Sequence, residues 1–240
     1  MVPFMKNSNL RKNISEYKAV VFDLDGTLYY QRRLRIKMAC MLLKHYLCHF
    51  WCIKDIFIIK RFREIRENWD EIKTVTGEEK TGGDSGRAGL EDSQYTYTAG
   101  LMKESRDRVR EVVKTWMYER PLGAVYETRD TELIRIIDDI KKRGQKVYIF
   151  SDYPIEDKLK ALGISADGMY AATDERLGEL KPSPKGLRLI MQDHGYGSDD
   201  ILMIGDRMSR DGLAAANAGC DYLILPKSPL KRKRLYAESL

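Results

Sequence analysis

The sequence predicts an α/β fold, a doubly wound parallel sheet of Rossmann-like form carrying an inserted helical domain, and three observations lead there. Short apolar runs recur, Val20-Val21-Phe22, Val147 to Phe150 and Ile201 to Ile204, and each stops at a polar or acidic residue. Continuous apolar runs of this length suit strands covered on both faces. Past Gly123 these runs alternate with helical patterns, which implies parallel strands joined by crossover helices. Residues 31–122 break the alternation with helical texture alone, so the expected division is 1–30 with 123–240 as the α/β core and 31–122 as a helical cap insertion.

Taken in order, the first strand runs through Val20 to Phe22 and empties into Asp23-Leu24-Asp25-Gly26-Thr27. A basic stretch follows, with Arg32, Arg33, Arg35 and Lys37, and then a dense apolar segment from Met38 to Ile59. With no glycine or proline to break it, that segment reads as one helix buried in a helical subdomain. Its polar interruptions, Lys44, His45, His49, Lys54 and Asp55, argue against a membrane span, which needs about 20 predominantly apolar residues. From Lys60 to Glu71 the spacing of Phe62, Ile65 and Trp69 gives one buried stripe. Residues 74–100 are polar and glycine-rich and read as a flexible loop. Leu101 to Tyr118 is helical again, and Pro121 and Gly123 close the insertion.

In the second part of the core, Thr131 is placed to cap a helix whose apolar residues are Leu133, Ile134, Ile136, Ile137 and Ile140, and Gly144 to end it. The strand Val147 to Phe150 ends at Ser151, a helix covers Ile155 to Leu162, and Met169 to Ala172 is a weaker strand. Lys181-Pro182-Ser183-Pro184 is a rigid turn ahead of the helix around Leu187. The strand Ile201 to Ile204 ends at Gly205-Asp206, an alanine-rich helix follows, and Tyr222 to Leu225 completes the sheet. The tail Lys231-Arg232-Lys233-Arg234 reads as a solvated basic end.

Composition narrows the function. The chain has 240 residues, and 42 Lys and Arg against 36 Asp and Glu give a net charge of +6, too mild to imply nucleic acid but suited to attracting an anion. Cys40, Cys48, Cys52 and Cys220 show no paired metal-ligand spacing and read as reduced thiols. Cys48 and Cys52 with His45 and His49 could hold a soft metal, yet no second ligand cluster exists to complete such a site. No apolar signal region of adequate length occurs in Met1 to Ser15, so a cytoplasmic, reducing location is expected.

In parallel sheets of this kind ligands bind beyond the carboxyl ends of the strands. Asp23 and Asp25, Ser151, and Asp206 all sit at such ends and should converge. Asp23 and Asp25, two apart in extended backbone, can point the same way and offer hard oxygen ligands and a nucleophile. Alone, the pair also admits a plainer reading, a strand followed by an Asp-Gly turn.

Together, the DxDGT sequence at Asp23 to Thr27, Ser151 at its strand end, Lys181 in a Lys-Pro-x-Pro turn, and Gly205-Asp206 followed by Asp211 resemble the haloacid dehalogenase superfamily. The resemblance implies a phosphohydrolase in which Asp23 is the nucleophile and Asp25 the general acid and base. It implies Thr27 and Ser151 as phosphoryl-oxygen donors and Lys181 as the cation that neutralises transition-state charge. Mg²⁺ would be held by Asp23, the Asp25 main-chain carbonyl and Asp206, with Asp211 in support. Members that act as dehalogenases lack an acid/base aspartate at the position of Asp25, so the resemblance favours a small organic phosphate monoester as substrate. A phosphomutase would share the same core. Within the insertion, Arg32, Arg33 and Arg35 could meet an anionic substrate, although a solvated basic face is the plainer expectation. A different class of function, a scaffold whose basic apolar insertion meets a membrane surface or a partner, fits the residues of the insertion but not the intact catalytic set.

Overall fold

A computed structural model describes residues 8–76 and 89–239. Five short strands, β1 (Ala19–Phe22), β2 (Lys146–Ser151), β3 (Gly168–Ala171), β4 (Ile201–Gly205) and β5 (Asp221–Ile224), form one sheet in the order β3-β2-β1-β4-β5. Every pairing is parallel, and β1 lies at the centre, with Phe22 opposite Ile149 on one side and Ile204 on the other. Central strands covered on both faces have no solvent side to make polar, and all four residues of β1 and all five of β4 are buried. The doubly wound α/β prediction therefore holds, and the shared register brings the ends of β1, β2 and β4 level with one another.

Eleven α-helices occur among the described residues. In chain order they are α1 (Gln31–Cys48), α2 (Lys54–Glu67), α3 (Trp69–Thr76), α4 (Leu90–Met102), α5 (Arg106–Val113), α6 (Leu122–Glu127), α7 (Thr131–Lys142), α8 (Glu156–Leu162), α9 (Lys185–His194), α10 (Leu213–Ala218) and α11 (Pro229–Ser239). The chain divides into two compact units, one made of residues up to Arg35 and from Gly123 onward, the other of Ile36–Leu122. In the first unit α7 is capped by Asp130, whose side chain accepts the Leu133 N–H at 3.2 Å, rather than by Thr131.

The second unit departs from the sequence expectation in three ways. The apolar segment Met38 to Ile59 is two helices rather than one, with a 3₁₀ turn at Phe50–Cys52 between α1 and α2. A straight helix would place Leu34 and Met38 on a different side from Ile58 and Phe62; all four are buried, and the turn lets each helix bury its own stripe. Burial of the segment is also only partial, since Ile36, Leu43, Leu47, Phe50, Ile53 and Phe57 are exposed. Of the expected loop at 74–100, residues 74–76 end α3, 90–100 belong to α4, and 77–88 lie outside the described residues. The reason α4 does not read as an amphipathic helix is that its buried face carries Gln94 and Thr98 beside Leu90, Tyr95 and Ala99. Here Gln94 accepts from Arg66 at 2.9 Å and the Tyr95 ring stacks on Phe62.

Among the described residues no helix is long and apolar enough to cross a membrane.

Candidate active site

Four chain segments of the α/β unit deliver polar side chains to one place. Asp23 follows β1, hydrogen-bonded through its N–H to Ile204 of β4 at 2.9 Å, so the strand pairing itself fixes where its side chain begins. Both carboxylate oxygens are engaged: Thr27 donates its hydroxyl to Oδ2 at 2.8 Å, and Lys181 donates Nζ to Oδ1 at 2.5 Å. Lys181 is only 1% exposed and also donates to Asp211 Oδ1 at 2.6 Å and to the Phe150 carbonyl at 3.3 Å. Asp211 in turn accepts the N–H groups of Asp206 at 3.1 Å and Arg207 at 2.9 Å through Oδ2, which closes the loop after β4 on itself. Asp152, at the end of β2, accepts the Lys181 N–H at 2.8 Å and thereby positions the lysine turn.

Two glycines allow this crowding. Gly26 has φ +106°, in the left-handed region that a side chain disfavours, and a Cβ there would lie 2.6 Å from Asp206 Oδ2. At Gly205 a Cβ would come within 2.3 Å of the Asp211 Cβ.

Asp23, Asp206 and Asp211 can each present one oxygen such that all three lie within 4.8 Å of one another. Three carboxylates against one ammonium leave the cluster short of positive charge. Burial raises the Asp23 carboxyl pKa to about 8, with Asp211 and Asp206 adding to the rise, although Lys181 pulls the other way. Burial and the Asp211 charge raise Asp206 likewise, partly offset by Arg207. For Lys181, burial favours loss of the proton, but Asp211 and Asp23 outweigh it and the ammonium is held more firmly than usual. A hard divalent cation is what an all-oxygen, charge-deficient cluster of this kind accommodates.

Asp25 sits beside this cluster with a different set of neighbours. Lys158 of α8 donates to its Oδ1 at 2.5 Å, the Tyr29 hydroxyl donates to the same oxygen, and the Ser151 hydroxyl lies 3.5 Å from Oδ2. Burial pushes the Asp25 carboxyl up, yet Lys158 and Tyr29 more than reverse this and hold it below its ordinary value. Thus every residue singled out in the sequence, Asp23, Asp25, Thr27, Ser151, Lys181, Asp206 and Asp211, lies at this end of the sheet. Their partners differ in detail from expectation: Thr27 is bonded to Asp23, and Asp211 joins the carboxylate triad directly, whereas the Asp25 side chain stands outside it.

The structure adds two residues that sequence reasoning missed. Lys158, 7% exposed, is one. The other is Arg232, which corrects the reading of the tail as wholly solvated: it is 1% exposed, while Lys231, Lys233 and Arg234 face water. Its guanidinium donates to the Gly26 carbonyl at 2.5 Å, the Thr27 carbonyl at 2.8 Å and Asp130 Oδ2 at 3.1 Å, tying α11 to the loop that carries Asp23 and Asp25. The Tyr236 hydroxyl, one turn later, donates to the same Asp130 oxygen at 2.8 Å. The spacing of Arg232, Leu235 and Tyr236 is the sequence signal for this inward face, and the surrounding charges mask it.

No curated protein matches the chain at a significant level. Its fold is similar to that of a 2-haloacid dehalogenase from Pseudomonas syringae pv. Tomato DC3000, at 16% identity and TM-score 0.57 over 87% of this chain and 86% of that one. A HAD-hydrolase from Bacillus subtilis bound to magnesium aligns at 15% identity and TM-score 0.57 over 88% of this chain and 89% of its own. A HAD phosphatase from Thermococcus onnurineus aligns at 18% identity and TM-score 0.52 over 88% and 87%. At such identities the likeness is one of fold. The sequence match is of another kind: it runs over residues 17–219 to the haloacid dehalogenase-like hydrolases, spans all the strand-end motifs, and establishes that the chain belongs to that family.

Proposed function

We propose that the protein is a Mg²⁺-dependent phosphatase acting on a small organic phosphate monoester through an aspartyl-phosphate on Asp23. The observation that carries this reading is Asp25, a second carboxylate set beside Ser151 and Lys158 and separate from the Asp23, Asp206 and Asp211 cluster. Two carboxylates in such different surroundings can take different roles, one as nucleophile and the other as proton carrier. In the first step an Asp23 oxygen bonds to phosphorus as the bond to the ester oxygen breaks, and Asp25 gives that oxygen its proton. Water then attacks the phosphoryl group, Asp25 takes back a proton, and Asp23 is released with inorganic phosphate.

The surroundings of Asp25 bear on the first step. With Lys158 against it, Asp25 is ionised, and a donor must be protonated. A phosphate dianion arriving near Lys158 competes for the ammonium and adds negative charge, both of which raise the Asp25 pKa. Thr27 and Ser151 have hydroxyls that can turn toward phosphoryl oxygens, and Lys181 remains charged to meet the charge of the transition state. Asp23, Asp206 and Asp211, with the Asp25 main-chain carbonyl, would hold Mg²⁺. When bound, the ion supplies the positive charge that offsets repulsion between carboxylate and phosphate. The helical insertion, 31–122, serves in this reading as the cap that selects the substrate.

The test is phosphate release from p-nitrophenyl phosphate and from a panel of sugar, nucleotide and small-acid phosphates, beside chloride release from a 2-haloacid. Phosphate should appear only with Mg²⁺, and Asp23→Asn should lower release by about 10⁴-fold or more. Chloride release without phosphate release would assign the chain to the dehalogenase branch instead, and full activity in Asp23→Asn would remove the nucleophile.

A further inference from the structure

We infer that the outward side of α1 and the start of α2 form a docking surface for an anionic lipid bilayer. On α1, Leu34, Met38 and Tyr46 are buried, and a second apolar stripe faces away from them: Ile36 is 58% exposed, Leu43 65% and Leu47 74%, with exposed Cys40 between. Residues 36, 40, 43 and 47 fall on one side of a helix by their spacing of four, three and four. The exposure continues past the helix end through Phe50 at 71%, Ile53 at 51% and Phe57 at 57%. Scattered exposed leucines mean little, but a continuous run of large apolar side chains marks an interaction surface.

Charge decides which surface. α1 carries Arg32, Arg33, Arg35, Lys37 and Lys44 and no acidic residue. By helical spacing Arg33, Lys37 and Lys44 border one side of the exposed stripe. Between Gln31 and Arg63 the sequence holds a single acid, Asp55, and it is buried against Arg108 at 2.6 Å. Among its own residues the exposed side of this segment therefore presents apolar side chains edged by Lys and Arg, with Lys54 met by Glu104 from beyond it at 3.2 Å. An apolar stripe flanked by Lys and Arg is the composition of a helix that lies in the headgroup region, its leucines and phenylalanines among the acyl chains and its cations against anionic headgroups. A second copy of the chain docked face to face through the same stripe would set these cations against themselves, which disfavours that occupant. The surface is independent of the phosphatase reading, because none of its residues belongs to the carboxylate cluster.

The test is co-sedimentation of the full chain with vesicles of phosphatidylcholine mixed with phosphatidylserine, against pure phosphatidylcholine, at low and high salt. The protein should pellet with the mixed vesicles at low salt, far less with the neutral ones, and be released by salt. Leu43→Glu/Leu47→Glu should weaken partitioning by about tenfold or more, and Lys44→Glu by about tenfold, with unchanged circular dichroism because these side chains are exposed. Should the double variant lose its helical signal, Lys44→Glu and the salt response decide the matter. Protein that stays in the supernatant with both vesicle types overturns the proposal, as does equal binding to neutral and anionic vesicles. A dimer in sedimentation analysis that the leucine variant dissolves, without vesicle binding, would give the face to a second copy instead.

Discussion

Both units meet the charges they bury, Asp55 on Arg108 in the helical one among them, and they differ in the apolar surface they leave in water. In the α/β unit charges are taken out of water, and each is met: Lys181 by two carboxylates, Asp25 by Lys158 and Tyr29, Arg232 by three carbonyls and Asp130. In the helical unit the anomaly is apolar surface left in water, and among the described residues Trp69 Nε1 and Gln94 Nε2 are buried without a hydrogen-bond partner. A buried charge is costly unless closely paired, so a cluster of matched ones implies that their positions matter to chemistry. An exposed apolar stripe costs nothing of that kind to fold, and marks contact with something outside the chain. On the two proposals, the difference separates where the protein would react from where it would dock.

The sharpest way to break this contrast is to remove a deeply buried charge from its partners. Arg232→Met should cost about 3–5 kcal/mol of stability, because the Gly26, Thr27 and Pro226 carbonyls lose their donor and the buried Asp130 loses its cation, keeping the Tyr236 hydroxyl. Thermal unfolding measures this. In protein that remains folded, kcat should fall with little change in KM if the arginine positions the nucleophile loop. Arg232→Lys should restore only part of both, since one ammonium cannot reproduce a planar fork. An Arg232→Met protein as stable and active as wild type would show the matching to be incidental.

A smaller effect is expected from Lys158→Met. Here the readout is leaving-group dependence: losing the ammonium lets burial raise the Asp25 carboxyl and favours its protonated form, so kcat on an alkyl phosphate, which needs a proton at the departing oxygen, should rise by about 10-fold relative to kcat on p-nitrophenyl phosphate, which does not. Equal loss on both substrates would give Lys158 a merely structural place.

The smallest effect concerns the carboxylate triad and pH. Asp23 is raised from 3.8 to about 8 in the folded protein, and Asp206 is also raised from 3.8, so between the unfolded and folded values the native state binds more protons than the unfolded chain. Metal-free protein should therefore be most stable below that window and lose stability as pH rises through it. Chelated protein should melt several degrees lower at about pH 8 than at about pH 5, and Mg²⁺ should raise the melting temperature more at the higher pH. The opposite trend would deny that the triad is short of positive charge.

The sequence carried the sheet and the strand-end carboxylates clearly, because a buried parallel strand has to be a continuous apolar run and whatever follows it stands out. Lys181 was legible for a similar reason, fixed in a proline-bracketed turn. Lys158 was not, since a lysine in a short helix between Asp157 and Leu159 looks like any solvated lysine; only the three-dimensional return of α8 toward Asp25 gives it a partner. Arg232 was hidden in a run of four cations of which a single one faces inward. In the insertion, the helical pattern was visible but its direction was not: α1 is apolar on two sides, and periodicity cannot say which side is covered. The helix α4 escaped notice because Gln94 and Thr98 occupy core positions.

The bond from Arg232 to Gly26 joins residues 206 positions apart. On the ribosome the strand that leads to Asp23 is made early, and the guanidinium that ties the loop beyond it follows β5 in the chain. All five strands precede it in the chain, but the loop holding Asp23 and Asp25 lacks this anchor until α11 docks. A chain cut back to end before α11 would keep all five strands and lose the tie on the loop that follows the first, so the sheet and that loop depend on different parts of the sequence.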